Sequence, residues 1–105
     1  NYWIPGFQDK IASTPVPPNE SKTVKTDADL MWLKAYKANS SDIYFGGDFD
    51  SLKNASKNSP EYKGSQKNNI YFPGKLSPGK TYYWRIDEIT KSRVQKGNVW
   101  SFKVK

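Results

Sequence analysis

The sequence predicts an all-β domain, a sandwich of two packed sheets with about seven short antiparallel strands. Three observations predict it. Apolar side chains recur at every second position in "LMWL", "DIYF", "YYWRI" and "VWSFKV", the period of a strand with one buried face. Turn residues (Pro-Gly, Gly-Gly, Asn-Ser) separate these runs, and no stretch repeats at the helical period.

In chain order, "NYWIPGFQDKIA" (1–12) has a Pro-Gly turn signal and three aromatics, Tyr2, Trp3 and Phe7, without a period. It reads as a linker or the tail of a preceding domain, its rings set against that domain or folded back over the next. The domain itself spans 13–105. Pro15, Pro17 and Pro18 forbid a helix after Ser13 and suit an edge strand. In "DADLMWLKA", Leu30 and Trp32 share an inward face, and in "SSDIYFGGDF" Ile43 and Phe45 do the same. The polar tract from Ser51 to Asn69 reads as a short edge strand and a long loop. "NIYF" is a short strand, "PGKLSPGK" a double turn, and "TYYWRIDEI" a strong strand with Tyr82, Trp84 and Ile86 inward and Tyr83, Arg85 and Asp87 outward. The last run turns Trp100, Phe102 and Val104 inward. With Leu76 from the turn, the expected core is Leu30, Trp32, Ile43, Phe45, Leu76, Tyr82, Trp84, Ile86, Trp100 and Phe102.

A chain of 105 residues leaves room for one core, and with aromatics at 15% a few large rings must supply most of its buried area. There is no cysteine and no histidine. That excludes Ser-His-Asp and Cys-His catalysis and the usual zinc ligand sets, so neither enzyme activity nor a cofactor or metal is expected. No run approaches the ~20 apolar residues of a bilayer span, so no membrane insertion is expected. The chain opens on Asn1 without a charged or apolar leader, which suggests a mature piece of a larger protein. The formal net charge of +7 permits polyanion binding, but Lys53, Lys57, Lys63 and Lys67 punctuate a polar tract, as solubilising lysines do. No RNA-binding signature accompanies the charge, and no nucleic-acid partner is expected.

Three groups of residues invite a chemical reading. Asp87 and Glu88 are adjacent acids, but neighbours on a strand point to opposite faces and cannot flank one bond; a structural contact with Arg85 or a lysine is favoured. Asp48 and Asp50 have the spacing of calcium ligands without the further oxygens such a loop needs, and turn formation accounts for them. The aromatics outside the core pattern, chiefly Tyr44, Tyr83 and Trp3, could stack on sugar rings as a glycan platform. The alternative, which is favoured, is that they stabilise the outer face by cross-strand pairing or pack on a neighbouring domain.

Several of these features together resemble the fibronectin type III family. They are Leu30-x-Trp32, "IYFG" at the end of the next strand, and Leu76-x-Pro78-Gly79-x-x-Tyr82 leading into Trp84 and Ile86. The resemblance covers about Ser13 to Val104 and is closest to bacterial modules in which "TYYWRIDE" is answered by "G-x-VWSF". It implies an immunoglobulin-like sandwich with a tyrosine corner at Tyr82. It further implies a non-catalytic spacer, monomeric by itself, in a secreted or surface bacterial protein, beside a polysaccharide-active domain. The alternatives are a carbohydrate-binding module or a protein-interaction and adhesion module. Ser41 departs from the pattern, standing where an inward aromatic is common.

Overall fold

The computed structural model describes residues 11–91 and 93–105. Among them the chain forms nine strands and one short helix. The strands are β1 (Ser13–Val16), β2 (Ser21–Val24), β3 (Leu30–Leu33), β4 (Ser40–Gly46), β5 (Tyr62–Gln66), β6 (Ile70–Tyr71), β7 (Thr81–Ile89), β8 (Val94–Gln95) and β9 (Val99–Val104); helix α1 (Phe49–Lys53) lies between β4 and β5.

The strands make two sheets. The smaller has the order β1-β3-β6 and the larger β2-β9-β7-β4-β5, with β8 continuing alongside β7. Pairing is antiparallel except for β2, which runs parallel to β9. The first extended segment thus divides between the sheets, β1 on one and β2 on the other, where Pro17 and Pro18 interrupt it.

The core between the sheets is aromatic. Trp84 of β7 is fully buried, meeting the edge of Trp100 at 4.8 Å between ring centroids and that of Trp32, from the smaller sheet, at 6.2 Å. Phe45, Tyr82 and Phe102 form a second group, with Phe45 and Tyr82 stacked at 5.2 Å. All ten residues of the expected core are buried. Ala12 is buried with them, so the packed domain includes at least one residue of the segment read as a linker.

Tyr82 makes its corner through the turn below it. The Ser77 N–H donates to the Tyr82 phenol oxygen at 2.9 Å, and Gly79, at φ 77°, adopts the left-handed backbone that favours glycine. Burial raises the phenol's pKa, but bonding to Ser77 and the nearby Lys80 charge outweigh it, so Tyr82 ionises below the usual tyrosine range.

Two elements differ from the sequence reading. The tract from Ser51 to Asn69, read as edge strand and loop, begins inside α1, whose last three residues are Ser51, Leu52 and Lys53. Asp48 caps this helix by accepting the Ser51 N–H at 2.9 Å, which holds its carboxyl below the usual aspartate range. The loop between β7 and β9 also contains β8. Arg85 pairs with Val99 and Glu88 with Gln95, so three steps along β7 (85 to 88) oppose four on the partner (99 to 95). The extra residue is a β-bulge around Gly97.

Candidate functional site

The outward face of the larger sheet was the expected place for exposed tyrosines. Instead it carries a second, smaller core. Tyr44, Leu52 and Ala55 are buried there, with Tyr62, Tyr83 and Val99 packed against them. The segment from α1 to Ala55 lies over the sheet, and Arg85 fastens it. Arg85 is 2% exposed and makes five hydrogen bonds, one for each guanidinium N–H. Nε and Nη2 donate to the two oxygens of Asp87 at 2.9 and 3.1 Å; Nη1 donates to the carbonyls of Leu52 and Lys53 at 3.0 and 2.9 Å, and Nη2 to that of Ala55 at 3.1 Å. The Leu52 and Lys53 carbonyls end the helix and that of Ala55 follows it; the Leu52 carbonyl also accepts the Ala55 N–H at 3.2 Å, and a cation suits this end of the helix dipole. The bidentate fork neutralises the buried guanidinium, and Asp87 Oδ1 accepts a further N–H from Gly97 at 3.0 Å.

This arrangement corrects the reading of Tyr44 as a glycan-stacking residue. Tyr44 does point outward from β4, but it is 3% exposed, with the Arg85 guanidinium 4.0 Å from its ring centroid and Tyr62 at 5.3 Å. Burial, then the carboxylates of Asp87 and Asp42, raise its pKa against the opposing pull of Arg85. Tyr83, on the same face, is half-buried and takes the edge of Phe49 at 5.7 Å, so it is no free platform either. Trp3 lies outside the described residues. Arg85 and Asp87, read as outward, are outward and buried for the same reason.

The acids of the sequence reading are engaged structurally. Glu88 turns inward, accepting the Ala35 N–H at 2.7 Å through Oε2 and the Ser41 hydroxyl through Oε1. The small Ser41, where an aromatic is common in the resembled family, leaves room for that carboxylate and supplies a donor for it. Asp87 turns the other way, to Arg85, so the two acids do not flank one cleft. Asp48 and Asp50 sit at the cap and first turn of α1. Among the described residues, no group of three or more acids could hold a metal ion.

A different surface has binding character. At the end of the sandwich where β3 connects to β4 and β7 to β8, Tyr36, Lys37, Asn39, Lys91, Arg93 and Gln95 line a shallow concavity. Asn39 N–H donates to the Ile89 carbonyl at 2.7 Å, tying the two connections together, and Thr90 closes the second by donating twice to the Arg93 carbonyl. Tyr36 is 50% exposed. The signal for this surface lay in the sequence: segments 34–39 and 90–96 carry five Lys or Arg and no acid. Only the fold shows that segments so far apart in sequence are neighbours.

The two sheets, the split first strand and the tyrosine corner define a fibronectin type III-like fold. A solved structure described as "Structure of FN3tt mut" is similar to this chain with a TM-score of 0.51 and 16% sequence identity, over 89% of this chain and 93% of that one. At that identity the likeness speaks for the fold. No protein-family profile matches the chain, and no curated protein matches it.

Proposed function

We propose that this domain is a non-catalytic spacer that holds its neighbours in a chain at a fixed separation and orientation. One observation carries the reading: the strands that begin and end the domain do so at opposite ends of the sandwich. Ser13 pairs with Leu33 at the end where Ala35 bonds Glu88. Val104 pairs with Val24 at the other end, where Leu76 bonds Thr26. A pull or a torque entering at one end crosses the whole double layer before it leaves. The buried polar groups support the same reading, because Arg85, Asp87, Glu88 and Ser41 all bond to the scaffold itself. The resemblance of "TYYWRIDE" and "GNVWSF" to bacterial accessory modules favours a secreted or surface parent with a polysaccharide-active domain nearby.

A second reading, carbohydrate binding, is favoured by the concavity at Tyr36. An exposed ring beside Lys37, Lys91 and Arg93 suits a sugar that carries carboxylate or sulfate groups, the ring stacking on its apolar face and the cations meeting its charges. One preparation separates the two readings. With the full chain joined between two folded reporter domains, a spacer gives a narrow inter-reporter distance distribution by electron double resonance and migrates unretarded through neutral and acidic polysaccharide gels. A distribution as broad as that of a Gly/Ser linker contradicts the spacer. Retardation on an acidic gel, lost in Tyr36→Ala and Lys91→Ser, establishes the carbohydrate reading in its place.

A further inference from the structure

Charge is divided unevenly between the two ends of the sandwich. At the end that holds the Tyr36 concavity, segments 34–39, 67–69 and 90–96 carry six Lys or Arg and no acid. The carboxylates nearest to them, Asp42, Asp87 and Glu88, are buried. The exposed acids Asp27, Asp29, Asp48 and Asp50 lie at the opposite end, on the connections that follow β2 and β4. The strand register brings the basic segments level with one another. Ser41 pairs with Gln66 of β5 on one side and with Glu88 of β7 on the other, and Glu88 pairs with Gln95 of β8. Lys67 and the residues after Ile89 therefore leave the sheet at the same height, and Lys34 Nζ donates to the Lys67 carbonyl at 2.7 Å, joining the β3–β4 connection to them. The cations form a band from β8 across β7 and β4 to β5, about 14 Å wide at the usual strand spacing. The concavity occupies the part of the band at Lys91 and Arg93, and Lys67 lies beyond it.

Resting on the carbohydrate reading of the concavity, we infer that this end binds a linear acidic polysaccharide along the band from Arg93 to Lys67, several sugar units at a time. A single acidic sugar needs only the concavity. A band of cations without an exposed acid among them suits a chain that carries an anionic group on successive units. The groups between the cations select sugar over other polyanions. The Tyr36 ring is half exposed, and the side-chain amides of Asn39 and Gln95 bond to no scaffold group among the described residues, which leaves them to meet hydroxyls.

Calorimetric titration of the full chain with galacturonate, its oligomers and its polymer tests this. Affinity is expected to rise with oligomer length and to fall as salt is added. Lys67→Ser is expected to weaken a long oligomer about two- to fivefold, as loss of one exposed ion pair does, and to leave the monomer unchanged. Lys103→Ser is the control: it makes the same charge change at the opposite end, where Lys103 is exposed on β9, and is expected to alter neither. Affinity independent of length, or equal weakening by Lys67→Ser and Lys103→Ser, overturns the band and leaves the concavity as a site for one sugar. Polyglutamate bound as tightly as the uronate polymer overturns the choice of a polysaccharide. Absence of binding to every one of these ligands overturns the carbohydrate reading as well.

Discussion

Replacing Arg85 with alanine is expected to destabilise the fold by roughly 3–5 kcal/mol, the usual cost of removing one partner of a buried ion pair. The change leaves the Asp87 carboxylate without its cation and takes a donor from each of the carbonyls of Leu52, Lys53 and Ala55. It also removes the cation beneath which Tyr44 is packed. Arg85→Lys keeps the charge but supplies three donors from one point in place of a five-donor fork, so it recovers only part of the loss. Arg93 is exposed, and Arg93→Ala should stay within about 0.5 kcal/mol of the parent. Urea unfolding measures all three. An Arg85→Ala variant as stable as Arg93→Ala would mean that the segment over the sheet is not held as described.

The second large effect is expected at Gly97. A methyl group there would stand 2.1 Å from the Ile86 carbonyl oxygen and 3.1 Å from its carbon, and both are backbone atoms in the middle of the longest strand. No rotamer change relieves that contact, so the bulge must open. Gly97→Ala is expected to cost about 3 kcal/mol or more, the upper end of what overpacking does. The two sites are also linked, because Asp87 Oδ1 accepts from both Arg85 Nε and the Gly97 N–H. The double variant Arg85→Ala/Gly97→Ala should therefore lose less than the sum of the single losses. Strict additivity would show that Asp87 does not join the two.

The contrast between these sites and the core shows what the sequence makes legible. The inward faces of β3, β4, β7 and β9 follow from alternation alone, since burial on one side of a strand writes itself into every second residue. Tyr44 shows the limit of that signal. Its parity is right, outward from β4, yet parity reports a direction and not what lies in that direction. The cover comes from α1, whose five residues are too few for a helical period to register; Phe49 and Leu52, three apart, are the one hint. Arg85 is harder still. Three of its partners are backbone carbonyls about thirty residues upstream, and a carbonyl leaves no mark on residue type. Gly97 was visible as a glycine near a strand end but not as a bulge, because the register shift depends on pairing between β7 and two different strands.

The same limit explains the glycan platform. Tyr44 and Tyr83 stand on paired strands, β4 and β7, with Gly46 opposite Tyr83 and Tyr44 opposite Arg85. Their rings are spent on the scaffold: Tyr44 under Arg85 and against Tyr62, Tyr83 against Phe49. The exposed ring with cations around it, Tyr36, belongs instead to a connection between strands, where side chains are free to meet a ligand.

The larger sheet is closed on its outer side by a segment that Arg85 pins. Nitrogen-edited NMR of the two arginine Nε–H groups tests this directly, with Arg93 as the exposed control. The Arg85 Nε–H, donated to Asp87, should persist as a sharp resonance at neutral pH and exchange with solvent far more slowly than that of Arg93. Two resonances with the same fast exchange would mean that the guanidinium meets water and that this face of the sheet is open.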